Sequence, residues 1–400
     1  MLAAALPHWV AGQVQRLLAL RVPSAGIPTS APVIYNRGAT RELLPSSFAV
    51  LEGRDLSEAR KGYDFIAYNP AAFQRLLGPQ PVIRELHKRD DEFAHEGPVW
   101  LPALKSLFFT SNRYQAGSQD PAEDGSADQR IDMYLLATDT GELKQVLPAE
   151  PGLVLMPNGA TNWSPTQVLL TAQGCGKSGG SLVVLDVVSG EATPLLDNWQ
   201  GQPFNSPNDV CVGSDGSVWF TDPDAGAMQG FREAARLPEA VWRYDARARS
   251  VTAQSDNVFM PNGVALSPDG RTLYVTDTAR VHKCAPQSAA RTIYRYDVSW
   301  NGPGRRRQLA NRRVFAMAAV GAPDGIKVDV DGNVWTGVGD GVYVYAPDGE
   351  LLGAVTVGEV SNLAFAGDTL IMLQETRVVA LKLATRGVLL PGMLAKPHFL

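Results

Sequence analysis

Apolar and polar residues alternate along most of this chain in runs of five to eight, bounded by Gly, Pro, Asp and Asn. That period predicts half-buried β-strands rather than helices. Six segments share one plan, a β-rich run, a turn, and a second run ending in small polar residues. They are Gly97-PVWLPALKSLFFTSN, Gly159-ATNWSPTQVLLTAQG, Asn208-DVCVGSDGSVWFTDP, Asn262-GVALSPDGRTLYVTDT, Asp324-GIKVDVDGNVWTGVG and Ser361-NLAFAGDTLIMLQE. Their starts lie roughly 50 residues apart, as repeat architectures require. Each is followed by another strand pair, such as Leu182-VVLDVVSGEATPLL or Val342-YVYAPDGELLGAV. Asp215-Gly216, Asp269-Gly270, Asp331-Gly332 and Asp348-Gly349 are hairpin turns, because such turns need a residue at positive φ.

Two hairpins per unit make a four-stranded antiparallel sheet, so six units predict an all-β, six-bladed propeller. One blade cannot bury both of its apolar faces, and the ring must close as a unit. The propeller is expected over residues 80–400, with Gln80-PVIREL as a candidate closing strand. Residues 1–79 are expected to form a helical and extended lead packing on it. Within that lead, Val10, Val14, Leu17 and Leu18 share one helical face, and Ser47-FAVLE reads as extended.

Composition narrows the class. Of 400 residues, 45% are hydrophobic and 19% charged, which excludes intrinsic disorder. Thirty-six basic against 41 acidic residues give a net charge of −5, which argues against a nucleic-acid partner. Three cysteines (Cys175, Cys211, Cys284) without a CxxC pair offer neither a disulfide framework nor a zinc site. No stretch reaches the roughly 20 apolar residues of a transmembrane helix. The N-terminus has no Lys or Arg before Arg16, and Pro7, Gln13 and Gln15 interrupt its apolar run. An amphipathic helix and a cytoplasmic protein are the expectation, with a weak signal and secretion as the alternative.

Several motifs imitate chemistry. Gly174-CGKS resembles the end of a phosphate loop, but Thr171 stands where that loop needs its first Gly. Asp329-VDGNV imitates a calcium-binding EF-hand loop, yet Val334 occupies the obligatory Gly position and the segment lies inside a hairpin. Arg305-Arg306-Arg307 and Arg312-Arg313 form a basic cluster, which reads as a solvated loop or a site for an acidic partner.

The chemistry is expected on the propeller axis, where the innermost strands converge. Their first positions are Glu96, Asn158, Asn208, Asn262, Asp324 and Ser361 or Asn362, all oxygen-bearing where a packed core would be apolar. Two carboxylates and several amide carbonyls suit a hard divalent cation, calcium first, with magnesium and manganese as alternatives. Turn formation competes as a reading of these Pro-Asn-Gly and Pro-Asp-Gly stretches, most evenly for Asn158.

His95-EGPVW, Ser206-PNDV, Pro261-NGVALSPDGRTLYVTDT and Pro323-DGIKVDVDGNVW resemble signature stretches of the SMP-30/gluconolactonase family, over residues 90–385. The likeness extends to fungal-type lactonohydrolases and, more distantly, to paraoxonases and diisopropyl fluorophosphatase. The resemblance implies a six-bladed propeller with calcium in its channel. It implies that Glu96, Asn262 and Asp324 match the family's metal ligands. Asn208 matches an Asn that binds metal or substrate, and Asp209 the residue beside it. Asn158 stands where paraoxonase-type lactonases use a channel His, so a His-assisted mechanism does not carry over.

The expected function is therefore calcium-dependent hydrolysis of a small lactone to a hydroxy acid. Asp324 is the expected base, with Glu96 second; Asn208, Asp209 and Asn158 are candidate substrate contacts. The metal set is Glu96, Asn208, Asn262 and Asp324. The rival readings are a cyclisation, isomerisation or phosphoester reaction at the same site, and a non-enzymatic binding platform with structural calcium. The expected partner is a small molecule, with the protein a monomer or weak homo-oligomer.

Overall fold

A computed structural model of the chain describes residues 33–36, 39–42, 64–117, 128–281, 288–301, 306–388 and 390. The helix expected near residues 10–18 and the extended segment at 47–52 lie outside these residues, as does most of the segment between Gln115 and Gln129. Among the described residues no helix is long and apolar enough to cross a membrane.

Six antiparallel sheets form the predicted ring of blades. The innermost strands are Glu96–Leu101, Pro157–Asn162, Val210–Val212, Pro261–Leu266, Ile326–Val328 and Asn362–Ala366. All four predicted Asp-Gly turns place their glycine at positive φ, between 66° and 98°. Ile83–Lys88 pairs antiparallel with Arg377–Lys382 as the outermost strand of the sixth blade. The ring is thus closed by its own N-terminal strand, three residues further along than Gln80 suggested.

Among the described residues, buried apolar side chains gather in six clusters, each spanning one blade boundary. Val99 and Leu101 of blade one meet Val168 and Leu170 of blade two, for example, and Trp219 of blade three meets Val264 and Leu273 of blade four. This is why the ring forms as a unit: each strand face is buried only by the neighbouring blade.

The fifth blade is wider than four strands. Phe65–Ala67 pairs with its outer strand Leu351–Val355, and Val33–Asn36 and Ala39–Glu42 extend the sheet to seven. The helix Pro70–Leu77 follows, capped by Asn69, whose Oδ1 accepts from the Ala72 amide. Its buried Phe73 ring lies over Gly353, where a Cβ would come within 2.4 Å of the ring.

The imitated motifs resolve as structure. Asp329 ties its own hairpin, accepting from the Asn333 amide, Asn333 Nδ2 and Trp335 Nε1 at 2.9–3.1 Å. Gly174-CGKS joins two strands of blade two, Gln167–Ala172 and Ser181–Asp186. Of the basic cluster, Arg307 is buried on Asp215 (2.8 Å), Arg313 binds Asp297 (2.6 Å), and Arg312 lies 3.9 Å from the centre of the Tyr294 ring.

Candidate active site

The starts of the innermost strands are fixed first through their backbone. In four blades a fully buried Thr stands last or next to last in the second strand and donates across the boundary to the next blade's carbonyl. Thr110 reaches Asn158 (3.2 Å), Thr171 reaches Asn208 (2.8 Å), Thr221 reaches Asn262 (2.6 Å) and Thr276 reaches Asp324 (2.8 Å). Ser361 makes the corresponding link from blade six to blade one, donating to the His95 carbonyl at 2.7 Å. Thr336 departs, bonding Gly325 in its own blade. The sequence signal was present in FFT, LLT, WFT and YVT, but it marks only strand ends until the partner is known.

The side chains on this frame are left open. Oδ1 of Asn158, Asn208, Asn262 and Asp324 are each buried without a hydrogen-bond partner among the described residues. A buried, unpaired acceptor costs about 1–3 kcal/mol, so four at the same register are a poor packing solution and a good ligand set. Asn158, Asn208 and Glu96 are buried, while Asn262 and Asp324 are half-buried. Glu96 accepts from Asn362 Nδ2 (2.6 Å) and from the Gly97 amide (3.2 Å), both at Oε2.

The electrostatics agree with this division. Burial raises the Glu96 carboxyl above its ordinary value; the His95 charge opposes that rise and the Asp209 charge adds to it. Burial also raises Asp324 well above its usual range, and the neighbouring Glu96 charge raises it further. Two carboxyls that resist ionisation together need compensating positive charge. Among the described residues no three His, Cys, Asp or Glu side chains cluster for a metal. The set is instead two carboxylates with amide oxygens, a donor chemistry that fits calcium rather than zinc.

Three further groups were not singled out by the sequence reading. His95 Nδ1 lies 2.6 Å from Glu375 Oε1. Burial disfavours the imidazolium, but Glu375, then Glu96 and Asp324, hold its pKa up at about 10. Lys327 extends from the fifth blade to within 3.5 Å of Asn362 Oδ1, and its charge offsets the burial of Asp209.

Asp209 itself lies one residue deeper than the ligand register. Its Oδ1 accepts from the Val210 amide (2.8 Å) and its Oδ2 from the Val264 amide (3.1 Å). Further along the innermost strands is a cavity of about 160 Å³ lined by Trp100, Val212, Leu266, Val328 and Phe365. It is lined by none of the open oxygens; Lys327 is the one charged side chain in its otherwise largely apolar wall.

Comparison with known proteins fits this geometry. Residues 95–374 match the family model described as SMP-30/Gluconolactonase/LRE-like region. The lactonohydrolase oryL of Aspergillus oryzae is 31% identical over 324 residues, covering 76% of this chain and 70% of that protein. A gluconolactonase of Zymomonas mobilis is 30% identical, covering 73% of this chain and 79% of its own length. Among solved structures, a gluconolactonase from Xanthomonas campestris superposes with a TM-score of 0.61 at 28% identity, over 78% of this chain and 92% of that one. With the match running from His95, beside the first candidate ligand, to Gln374 at the end of the last blade's second strand, this chain belongs to the SMP-30/gluconolactonase family.

Proposed function

We propose that the chain hydrolyses a small, sugar-type lactone to its hydroxy acid, using a divalent cation, calcium first, held by Glu96, Asn208, Asn262 and Asp324. The observation that carries this reading is the set of unpartnered buried oxygens on successive blades. The relatives' activity supports the reaction class, since those named are a lactonohydrolase and a gluconolactonase.

A bound cation would supply the positive charge that polarises the ester carbonyl and offsets the oxyanion formed on water attack. Asn208 and Asn262 would contribute neutral oxygens, so the two carboxylates alone balance a dication. In this reading Asp324, which is half-buried, takes the proton from the attacking water. Glu96 is more enclosed and has one oxygen already committed, which suits a ligand better than a base. Asn158 Oδ1 is left for a substrate hydroxyl. Asn158 and Asn208 are the substrate contacts in this reading, with Asp209, whose oxygens each accept one backbone amide, beneath them.

The test is a panel of aldonolactones assayed with calcium and with chelator, for the wild type and Asp324→Ala. Turnover lost in both chelator and variant is the expected result. Unchanged lactone opening under both treatments would sink the reading.

A further inference from the structure

The sixth position of the ligand register is occupied by Asn362, or by Ser361 just before it, and neither behaves like the four positions with an open oxygen. Ser361 spends its hydroxyl on the His95 carbonyl. Asn362 is fully buried, and its carbonyl oxygen is not open. Oδ1 accepts from the Leu363 amide at 2.7 Å, with Lys327 Nζ 3.5 Å away. A backbone N–H can only donate, so the atom it reaches must be the amide oxygen. The orientation of the side chain is therefore settled, and the NH2 group is the one that faces Glu96.

The backbone makes room for this arrangement. At Gly325, on the adjacent blade, a Cβ would come within 2.2 Å of the Asn362 side chain. Gly159 stands in the same relation to Asp209 on the next blade, with a Cβ meeting Asp209 Oδ1 at 2.8 Å. Blades three and six thus each place a polar side chain just beneath the ligand layer. The one from blade six is turned toward a ligand.

The consequence falls on Glu96. Oε2 accepts from both Asn362 Nδ2 and the Gly97 amide, which fill its two lone-pair directions. Neither bond involves Oε1. We propose that Asn362 is a positioning residue that restricts Glu96 to one-oxygen ligation, and so tunes which divalent cation the channel prefers. This rests on the cation reading of the site given above.

The physical link is coordination number. Calcium accepts six to eight oxygens and tolerates bidentate carboxylates, whereas magnesium demands a tight octahedron. A Glu96 held to one oxygen keeps the number of protein ligands low. Releasing Oε2 would let the carboxylate turn and offer both oxygens, which only the larger ion can use. Partners that orient a ligand from behind commonly change metal affinity by about 10- to 100-fold when removed.

The test is titration of metal-free wild type, Asn362→Leu and Asn362→Asp with calcium and, separately, magnesium, by calorimetry, with melting temperatures recorded in chelator. Leu keeps the branched shape without a donor, and Asp keeps it with a repelling charge, so one variant serves if the other fails to fold. The expected result for Asn362→Leu is weaker binding of both ions, magnesium losing about tenfold more than calcium. Asn362→Asp is expected to move the same ratio in the same direction. Unchanged affinities, or equal losses for the two ions, would overturn the positioning role while leaving the cation site standing. Absence of calcium binding in the wild type would instead remove the cation site, and this inference with it.

Discussion

Thr276 Oγ1 donates a 2.8 Å hydrogen bond to the carbonyl oxygen of Asp324, across the boundary between blades four and five. The bond joins a fully buried hydroxyl to the backbone of the residue proposed as the base. Support of this kind sets a functional side chain more precisely than its own rotamer preferences can.

Replacing Thr276 by Val keeps the shape and removes the donor. The Asp324 carbonyl then loses its side-chain partner, at a cost of about 0.5–1.5 kcal/mol in denaturant unfolding. Calcium affinity and kcat/KM are expected to fall together, because the backbone carrying Asp324 shifts. A stability loss with both functional quantities unchanged would show that the Thr ring only holds blades together.

Removing an open oxygen should separate function from stability. In chelator, Asn262→Ala is expected to melt no lower than wild type, because an unpaired buried acceptor worth about 1–3 kcal/mol of desolvation disappears with it. Its calcium affinity should fall at least as far as the about tenfold typical of losing an outer partner. Calorimetry and thermal melts on one preparation decide both. A large drop in metal-free stability would mean that Asn262 is chiefly a turn former.

The metal-free chain should be more stable at about pH 5 than at about pH 8, because the folded state then holds more protons than the unfolded one. Burial raises the carboxyls of Glu96 and Asp324, and pushes Asp222 up to about 7. Each is protonated in the folded state while ionised in the unfolded one, so stability falls as pH rises through the folded value. His95 works the same way, since its charge is held up to about 10 against an unfolded value of about 6.5. Saturating calcium should flatten this slope by favouring the ionised carboxylates. Melting curves across that range, with chelator or calcium, check the sign; a metal-free stability that rises with pH would contradict it.

Glu375→Gln removes the charge beside His95 Nδ1 while keeping a hydrogen-bonding group. The imidazole pKa should fall from about 10 toward the ordinary value of about 6.5. Imidazole carbon shifts in the metal-free protein follow this directly. A pKa still near 10 would assign the imidazolium to Glu96 and Asp324 alone.

The blade pattern, the four Asp-Gly turns and the register of Glu96, Asn158, Asn208, Asn262 and Asp324 were legible along the chain. Each depends on local rules: alternation follows from the period-2 geometry of a strand, and the turns from the need for positive φ. A repeated unit then puts equivalent positions at equivalent places. Closure was legible only in outline, because Gln80-PVIREL and Ile83–Lys88 differ by a shift in pairing that strand alternation alone does not specify.

What remained was decided by contacts between distant segments. Asn362 and Asn158 are both Asn at or beside the same register position, yet one is spent on Glu96 and Leu363 while the other is left open. Asp209 reads like a site carboxylate in the sequence, and only the fold shows that each of its oxygens also accepts a backbone amide, from Val210 and Val264. The five hydroxyls from Thr110 to Ser361, the His95–Glu375 pair and the reach of Lys327 likewise depend on which blade lies beside which. By itself, then, the sequence determined the propeller and the ring of candidate oxygens, because strand period and turn chemistry are local. Only the tertiary structure decided which oxygens are left without a hydrogen-bond partner among the described residues, because hydrogen-bond satisfaction belongs to the packed neighbourhood and not to the residue.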